Sequence, residues 1–375
     1  MKEQLVQVID KKDLQVLILT DGYNIHHLSG YRGHTGMLVA FQGEQYILTD
    51  SRYTEQVELE APEFTCVDIG REGYSKTIAA MVQKAFAKEG RSTLRIGFEN
   101  KEISYMQYQA FVDTFAKELT GMQVEFVPLE DAVNVYREVK TEDEIAKLAR
   151  AEQIGDEAFT EIVKFIHENW KDGLTEQRVA LQLEYEMRLR GAEGTSFDTI
   201  AASGSNSSLP HAMPQPKLLT EGDFLTMDFG CMYQGYCSDM TRTIHIGEVV
   251  ESEQKKVYDT VLQAQLAALS VVKPGMVCSD VDKCARDIIA DAGYGDYFGH
   301  GLGHSVGLFI HEEPRFSMKC DAVLKPGVVI TVEPGIYLPG RFGVRIEDMI
   351  VVTEDGYQNL ASSPKLSPCR MILRV

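Results

Sequence analysis

Two segments of similar design, each carrying a pair of acidic side chains, constrain this chain more than any other feature. They cover residues 227 to 242 and 332 to 348, and each has turn-forming residues near its middle. Because turn residues between strand-like runs indicate hairpins, we expect two antiparallel hairpins. The paired acids are Asp228 and Asp239 in the first segment and Glu333 and Glu347 in the second.

The positions of the acids predict their register, because facing residues of a hairpin lie at equal distances from its turn. In the first segment this places Asp228 opposite Asp239, with the turn just before Gly235. In the second it places Glu333 opposite Glu347 around a Pro-Gly turn. Facing carboxylates with Cβ atoms roughly 5 Å apart repel each other and destabilise a sheet. We therefore expect cations between them.

The chain also shows signs of an internal duplication. Each hairpin follows two predicted helices, with N-caps at Thr141 and Thr175 in the first half and at Ser252 and Ser279 in the second. Thr141 and Glu144 form a capping-box pattern. Two helix-helix-hairpin halves facing each other would bring all four acids to one central site.

The part of the chain before residue 133 has a different pattern. Strand-like runs alternate with helical ones, which predicts an α/β N-terminal domain over residues 1–132. Residues 133–140 are interpreted as a linker, and residues 141–375 as an α+β domain with an internal pseudo-twofold duplication. The strand-like runs are VLILT, MLVAF, YILT, TLRIGF and QVEFVPL, and the helical runs are residues 74 to 89 and 104 to 118.

Composition narrows the classes of partner. Asp and Glu total 56 against 37 Lys and Arg, so the formal net charge is -19. This charge argues against nucleic acid or an anionic membrane as a partner. Seven cysteines without a CxxC pair fit reduced thiols. Because the sequence also has no apolar run of membrane-spanning length, we expect a cytoplasmic protein.

Three histidines lie among glycines in residues 299 to 314, GHGLGHSVGLFIHEEP. They are His300, His304 and His311. The glycines disfavour a stable helix, so His300 and His304 are not expected to share a helical face as paired zinc ligands do. Three histidines beside two acidic hairpins instead indicate a metal and substrate site.

Five short motifs surround these residues: Asp228-Phe229-Gly230, Ser238 through Arg242, His300 through His311, Glu333-Pro334-Gly335 and Arg345 through Asp348. Together they resemble the motifs of the M24 metallopeptidases, which have the pita-bread fold. The spacing of the two glutamates, the long N-terminal domain and residues 197 to 214 resemble the Xaa-Pro aminopeptidase and prolidase branch. The resemblance implies a creatinase-like N-terminal domain and a pita-bread catalytic domain.

The resemblance also implies ligands for two divalent metal ions. In the family, the position matching Asp228 binds one ion, and those matching Asp239 and Glu347 bridge both. The positions matching His304 and Glu333 complete the second site. A set of oxygen donors with one imidazole favours manganese, and cobalt, iron and zinc remain open.

Further roles follow from the same resemblance. Histidines matching His211, His300 and His311 contact the substrate or the tetrahedral intermediate in the family. Positions matching Tyr337 and Arg345 support the metal ligands from behind.

The chemistry of such a site favours hydrolysis. Two ions about 3.5 to 4 Å apart can share a water and lower its pKa, holding hydroxide against a substrate carbonyl. Our hypothesis is that this hydroxide attacks the carbonyl before a proline while Glu333 handles the proton. The sequence has no GxSxG nucleophile motif that would indicate a serine hydrolase.

The resemblance predicts a Xaa-Pro aminopeptidase, which releases the N-terminal residue of peptides with proline in second position. The alternative is a Xaa-Pro dipeptidase (prolidase), which shares every ligand. A creatinase-like amidinohydrolase shares the fold but lacks the metal ligands, and a metal-free peptide-binding scaffold is the remote alternative. The resemblance further implies a homodimer acting on small peptides.

Overall fold

The computed structural model describes residues 2–247 and 251–365. Its internal contacts divide the chain into two compact units, Met1–Arg137 and Glu138–Val375. The division lies inside the predicted linker, residues 133–140. Positions 248–250 and 366–375 of the predicted second domain, residues 141–375, lie outside the described residues. Within the described ranges no helix has both the length and the apolar character needed to cross a bilayer.

The first unit is a mixed sheet of six strands, among residues 2–137, flanked by helices. The strands are β1 (Val16–Leu19), β2 (Met37–Phe41), β3 (Glu44–Thr49), β4 (Thr65–Asp68), β5 (Thr93–Phe98) and β6 (Gln123–Pro128). The helices are α1 (Lys2–Lys12), α2 (Gly22–Ser29), α3 (Thr54–Glu60), α4 (Gly73–Phe86) and α5 (Tyr105–Glu118). The strand order is β4-β3-β2-β1-β5-β6, with β1, β5 and β6 parallel. The predicted α/β class is confirmed.

Alternate side chains of β1 belong to two separate apolar cores in this unit. Leu17 and Leu19 cluster with residues of α1 and α2, whereas Val16 and Ile18 cluster with residues of α4 and α5. Successive side chains of a strand point to opposite faces, so a strand that is apolar throughout is buried on both sides. The apolar run that predicted this strand thus also explains the helices on both faces of the sheet.

The second unit repeats one order of elements, two helices followed by antiparallel strands. Its helices are α6 (Glu142–Asn169), α7 (Glu176–Leu189), α8 (Ser252–Val271) and α9 (Cys278–Asp291). The strands of its first half are β7 (Gly194–Thr195), β8 (Ile200–Ser203), β9 (Phe224–Phe229), β10 (Cys231–Tyr233), β11 (Tyr236–Cys237) and β12 (Met240–His245). Those of its second half are β13 (Gly303–Ser305), β14 (Glu312–Phe316), β15 (Val329–Val332), β16 (Gly335–Leu338), β17 (Phe342–Arg345), β18 (Asp348–Val352) and β19 (Tyr357–Asn359).

Each half of this unit has its own apolar core. Helices α6 and α7 pack with β9 and β12, and helices α8 and α9 pack with β15 through β18. Two of the four predicted N-caps, Thr141 and Thr175, are confirmed by side-chain bonds to the first helical turn. The other two are wrong: α8 is capped by Glu251 rather than Ser252, and α9 begins before Ser279. An antiparallel bridge immediately before α9 sets its earlier start.

The predicted register of the first hairpin is wrong by two residues. Asp228 faces Thr241, not Asp239, in the pairing of β9 with β12. The turn consists of Gln234 and Gly235, both with positive φ (50° and 84°), as a two-residue type I′ turn requires. Because side chains alternate with a period of two, this shift keeps both aspartates on the same face of the hairpin.

The predicted register of the second hairpin is confirmed. The pairings of β15 with β18 and of β16 with β17 share one register, in which Glu333 lies opposite Glu347. The ladder is interrupted at these two residues. The backbone N–H of Glu333 donates to Leu302 O at 2.7 Å, and that of Glu347 donates to Thr241 O at 3.1 Å. The interruption therefore joins the two hairpins directly.

Candidate metal centre

All the proposed metal ligands line one cavity of about 870 Å³ in the second unit. They come from separate elements: β9, the junction between β11 and β12, β13, and the two sides of the interrupted second hairpin. The ligands predicted from sequence are Asp228, Asp239, His304, Glu333 and Glu347. The fold thus brings together residues that are more than a hundred positions apart in the chain.

Three of these residues form the tightest cluster. Ligand atoms of Asp239, His304 and Glu347 lie within 4.8 Å of one another, a spacing that one metal ion can bridge. His304 Nε2 is 3.4 Å from Asp239 Oδ2. Glu333 adjoins the cluster, with Oε1 at 3.5 Å from the same His304 nitrogen.

Asp228 lies at the edge of this cluster and is anchored from behind. Its Oδ2 accepts a hydrogen bond from Arg345 Nη2. The Arg345 guanidinium also donates to Thr241 Oγ1 at 3.1 Å and to the Tyr337 hydroxyl at 2.8 Å. Thr241 in turn donates to Glu347 Oε2 at 2.6 Å. Arg345 thereby orients carboxylates on both hairpins.

The carboxylates are crowded enough to disfavour their charged forms. Burial, reinforced by Glu347 and Asp228, raises the pKa of Asp239 well above its usual range. Burial, with Glu333 and Asp228 nearby, does the same to the pKa of Glu347. The pKa of Glu333 is raised to about 8, chiefly by burial, although Arg345 opposes the shift. Buried like charges of this kind require a cation if they are to ionise together.

The unsatisfied atoms fit that requirement. Asp228 Oδ1 and Glu347 Oε1 are buried and have no hydrogen-bond partner among the described residues. Oxygen atoms of this kind are suitable ligands for a divalent ion. The donor set of four carboxylates and one imidazole therefore fits a pair of divalent cations.

Hydrogen bonds to the histidines fix which ring nitrogen is free. His304 Nδ1 lies 3.1 Å from Ser305 O, and because a carbonyl only accepts, Nδ1 carries the proton and Nε2 is free to bind a metal. Burial lowers the pKa of His304 to about 3, so the ring is neutral at neutral pH. Both ring nitrogens of His300 are already hydrogen-bonded. Nδ1 lies 2.8 Å from Gly301 O, and Nε2 lies 2.9 Å from the Tyr337 hydroxyl.

The remaining predicted site residues also line the cavity. His311 packs edge-on against His304, with ring centroids 4.6 Å apart. Burial lowers the pKa of His311. His211 lies on the loop between β8 and β9, where it lines the cavity and is exposed. The structure thus places neutral or exposed imidazoles around the carboxylate cluster.

Two protein-family models match this chain and support the metal centre described above. The model of metallopeptidase family M24 matches residues 146–354, and that of the creatinase/prolidase N-terminal domain matches residues 2–139. The chain belongs to metallopeptidase family M24. As an M24 metallopeptidase, it has the pita-bread catalytic fold expected from the motifs.

Several relatives resemble this M24 metallopeptidase along almost its whole length. The Xaa-Pro dipeptidase of Pyrococcus furiosus is 37% identical over 97% of this chain and 98% of the relative. The solved structure of a Xaa-Pro dipeptidase from Bacillus anthracis is 38% identical, with a TM-score of 0.87, covering 97% of this chain and 98% of the other. That of an X-Pro aminopeptidase from Thermotoga maritima is 34% identical, with a TM-score of 0.83, covering 96% and 99%.

Sequence reasoning missed several buried charges around this M24 site. Glu152 on α6 is fully buried and accepts a hydrogen bond from the backbone N–H of Asp239 at 3.3 Å. Its position was visible in the sequence, since it continues the apolar stripe of Leu148 and Phe159. Arg242 and Asp348 form a buried ion pair directly behind the two hairpins.

Proposed function

We propose that this M24 metallopeptidase is a dinuclear metal-dependent Xaa-Pro dipeptidase. The observation that carries the proposal is the convergence of four carboxylates, two buried and two partly buried, and His304 on one cavity. Two of the carboxylate oxygens have no hydrogen-bond partner among the described residues. The aminopeptidase expected from sequence shares this site. Similarity over almost the whole chain to proteins named Xaa-Pro dipeptidase supports the alternative better.

The metal ligands we propose are Asp228, Asp239, His304, Glu333 and Glu347. We propose manganese as the metal, because hard carboxylate oxygens dominate the donor set. Two divalent ions held there would supply an activated water at neutral pH and stabilise negative charge on the substrate carbonyl oxygen.

The chain's own side chains perform the remaining tasks. Glu333 Oε1 lies 3.5 Å from His304 Nε2, and its carboxylate, ionised when the ions are bound, can accept the proton of the attacking water and return it to the prolyl nitrogen. His211 and His311 line the cavity, and a ring N–H of either can donate to the substrate carbonyl. His300 holds Tyr337, which accepts from Arg345, and so steadies the Asp228 carboxylate.

Arg315 supports a dipeptide as the substrate. It lies opposite His304 in the pairing of β13 with β14 and lines the cavity. Its guanidinium bonds Glu313 at 3.0 Å, and both side chains are about half exposed (46% and 63%). An exposed pair of this kind contributes only about 0 to 1 kcal/mol, so a substrate carboxylate can replace Glu313 at little cost. A dipeptide presents that carboxylate immediately after proline.

The test is a hydrolysis assay of the manganese-loaded protein with Xaa-Pro dipeptides and matched Xaa-Pro-Xaa tripeptides. We expect turnover of the dipeptides, loss of turnover with a chelator and recovery on adding manganese. Preferential cleavage of the tripeptides would instead identify an aminopeptidase. Cleavage of neither would contradict both assignments and favour a binding scaffold. Size measurement of the same preparation would test the homodimer that the family resemblance implies.

A further inference from the structure

The loop that carries His211 has almost no regular structure. It runs from the end of β8 to the start of β9, and a short 3₁₀ turn, Gly204–Ser208, is its regular part. Leu209 and Met213 on this loop are 57% and 77% exposed, and Ala212 is the apolar residue of its tip that packs, against Ile200 and Ala202. A loop of this length needs another means of fixing its conformation.

A single buried carboxylate supplies much of that fixation. Glu176, in the first turn of α7, is fully buried. Its Oε1 accepts from the backbone N–H of Ser203 at 2.6 Å and from the Ser203 hydroxyl at 2.8 Å. Its Oε2 accepts from Asn206 Nδ2 at 2.8 Å and from the backbone N–H of Gln215 at 3.0 Å. These four bonds hold the loop on both sides of His211.

The backbone of the same helix turn adds further ties. The N–H of Glu176 donates to Lys217 O at 3.1 Å. The Lys217 ammonium returns to the start of the loop, donating to Ser203 O at 2.7 Å and to Asp223 Oδ2 at 3.0 Å. The start and end of the loop are thereby joined to the N-terminus of α7.

The other side of the loop rests on the second hairpin. Ser207 Oγ accepts from the backbone N–H of Gly343 at 2.9 Å, and Pro210 O accepts from Arg345 Nη1 at 3.2 Å. A Cβ at position 343 would lie 2.1 Å from Ser207 O, so only glycine allows this approach. The loop is therefore hydrogen-bonded to Glu176 on one side and to the hairpin that carries Arg345 on the other.

We propose that Glu176 is a positioning residue that sets the place of His211 at the cavity. This inference rests on the proposed function, since it assigns His211 a role toward the peptide. Glu176 lines no part of the cavity and touches no proposed metal ligand in the described residues. Its effect on turnover must pass through the loop from Ser203 to Gln215.

The first test is Glu176→Gln. The amide keeps one acceptor for Ser203 but turns an NH₂ group toward two donors, Asn206 Nδ2 and the backbone N–H of Gln215. We expect kcat/KM for a Xaa-Pro dipeptide to fall about 10- to 100-fold, the range that misplacement of a substrate-contacting group produces. Two metal ions per chain should be retained.

A double-mutant cycle separates positioning from general loss of structure. If Glu176 acts through His211, the variant carrying both Glu176→Gln and His211→Ala should be no slower than His211→Ala alone. Multiplicative effects of the two changes would overturn the proposal. So would a Glu176→Gln variant with unchanged rates.

The matched control is Glu99→Gln in the first unit. Glu99 is also a buried carboxylate that accepts from backbone N–H groups and an asparagine amide, on Thr20, Asp21 and Asn24. Its replacement should combine multiplicatively with His211→Ala. If Glu176→Gln does not fold, Asn206→Ala, which removes one of the four donors, replaces it in the cycle.

Limited elastase digestion tests the inference without any peptidase assay. Glu176→Gln should accelerate cleavage after Ala212 several-fold, because Ala212 is 3% exposed in the parent and loosening the loop exposes it. Glu99→Gln should leave these cleavage rates unchanged. Equal cleavage in parent and Glu176→Gln would overturn the positioning role. Accelerated cleavage in a chain that hydrolyses no Xaa-Pro peptide would uphold the loop's dependence on Glu176 and contradict only the proposed function.

Discussion

Arg242 donates a hydrogen bond to Asp348 Oδ1 at 2.8 Å, and the two side chains are 2% and 0% exposed. The same guanidinium donates to the carbonyls of Thr241 and Glu347. It also donates to Ser363 O at 2.8 Å. One buried cation thus links the two acidic hairpins to the chain segment that follows the last strand.

Removing the Arg242 guanidinium should lower the stability of the protein. Arg242→Ala removes the donor to the buried carbonyls of Glu347 and Ser363 and one of the two cations beside Asp348, which keeps Lys365. We expect the free energy of unfolding to fall by about 3 to 5 kcal/mol. Denaturant unfolding with metal analysis of the folded fraction measures the effect. The control is Arg341→Ala, because Arg341 pairs with Glu253 at the surface and its loss should change stability by about 0 to 1 kcal/mol. Equal losses in both variants would contradict the role of the buried network.

Glu333 is expected to be required for turnover beyond its part in holding a metal. Replacing it by alanine removes the group proposed to move the proton, so kcat should fall by about 100- to 10,000-fold. Metal content, measured on the same preparation, shows how much of the loss follows from a missing ion. Glu333→Gln keeps the size and one acceptor oxygen and should be almost as slow. Near-normal rates in either variant would remove Glu333 from the mechanism.

Local pattern predicted those features that depend on neighbouring residues. The capping box of Thr141 and the alternation of strands and helices in the first unit can be predicted from side chains within a few positions of each other. The register of the second hairpin also followed, because its Pro-Gly turn lies where the facing acids require. The first hairpin failed because Gln234 adopts the left-handed conformation, which no local preference of glutamine indicates.

Long-range partners of charged residues could not be predicted in the same way. Glu152 continues the apolar stripe of α6, and Glu176 lies in the first turn of α7. The stripe indicates burial, but the backbone donors that satisfy a buried glutamate depend on the rest of the fold. Those donors, on Asp239 and Ser203, lie on other elements. The structure was therefore needed to find them.

Arg315 should distinguish dipeptides from longer peptides. Arg315→Gln removes the cation proposed to bind the carboxylate after proline, and loss of a charged hydrogen bond of about 1.5 to 3 kcal/mol corresponds to about 10- to 100-fold in kcat/KM. We expect that loss for Xaa-Pro and little change for Xaa-Pro-Xaa. Arg91→Gln is the control, since Arg91 is about as exposed and also bonds a glutamate two residues away. Equal losses for both substrates would contradict the assignment.

Metal-free protein should lose stability as pH rises from 7 to 9. Glu333 has a pKa of about 8 in the fold, raised chiefly by burial, and an ordinary value near 4.5 when unfolded. The folded state therefore binds more protons, and its advantage disappears as pH rises through 8. His304, whose pKa is lowered, is neutral in both states above pH 7 and does not contribute.

Adding manganese should reverse this dependence, because the ions bind the ionised carboxylates and release protons. Thermal unfolding at pH 7, 8 and 9 after chelation, with and without manganese, measures both slopes. The stabilisation by manganese should grow with pH, and Glu333→Gln should flatten the slope of the metal-free protein. A metal-free protein whose melting temperature rises over this interval would show that the crowded carboxylates are not the groups that titrate. Each ionised carboxylate in the cluster would then need a partner within the protein itself.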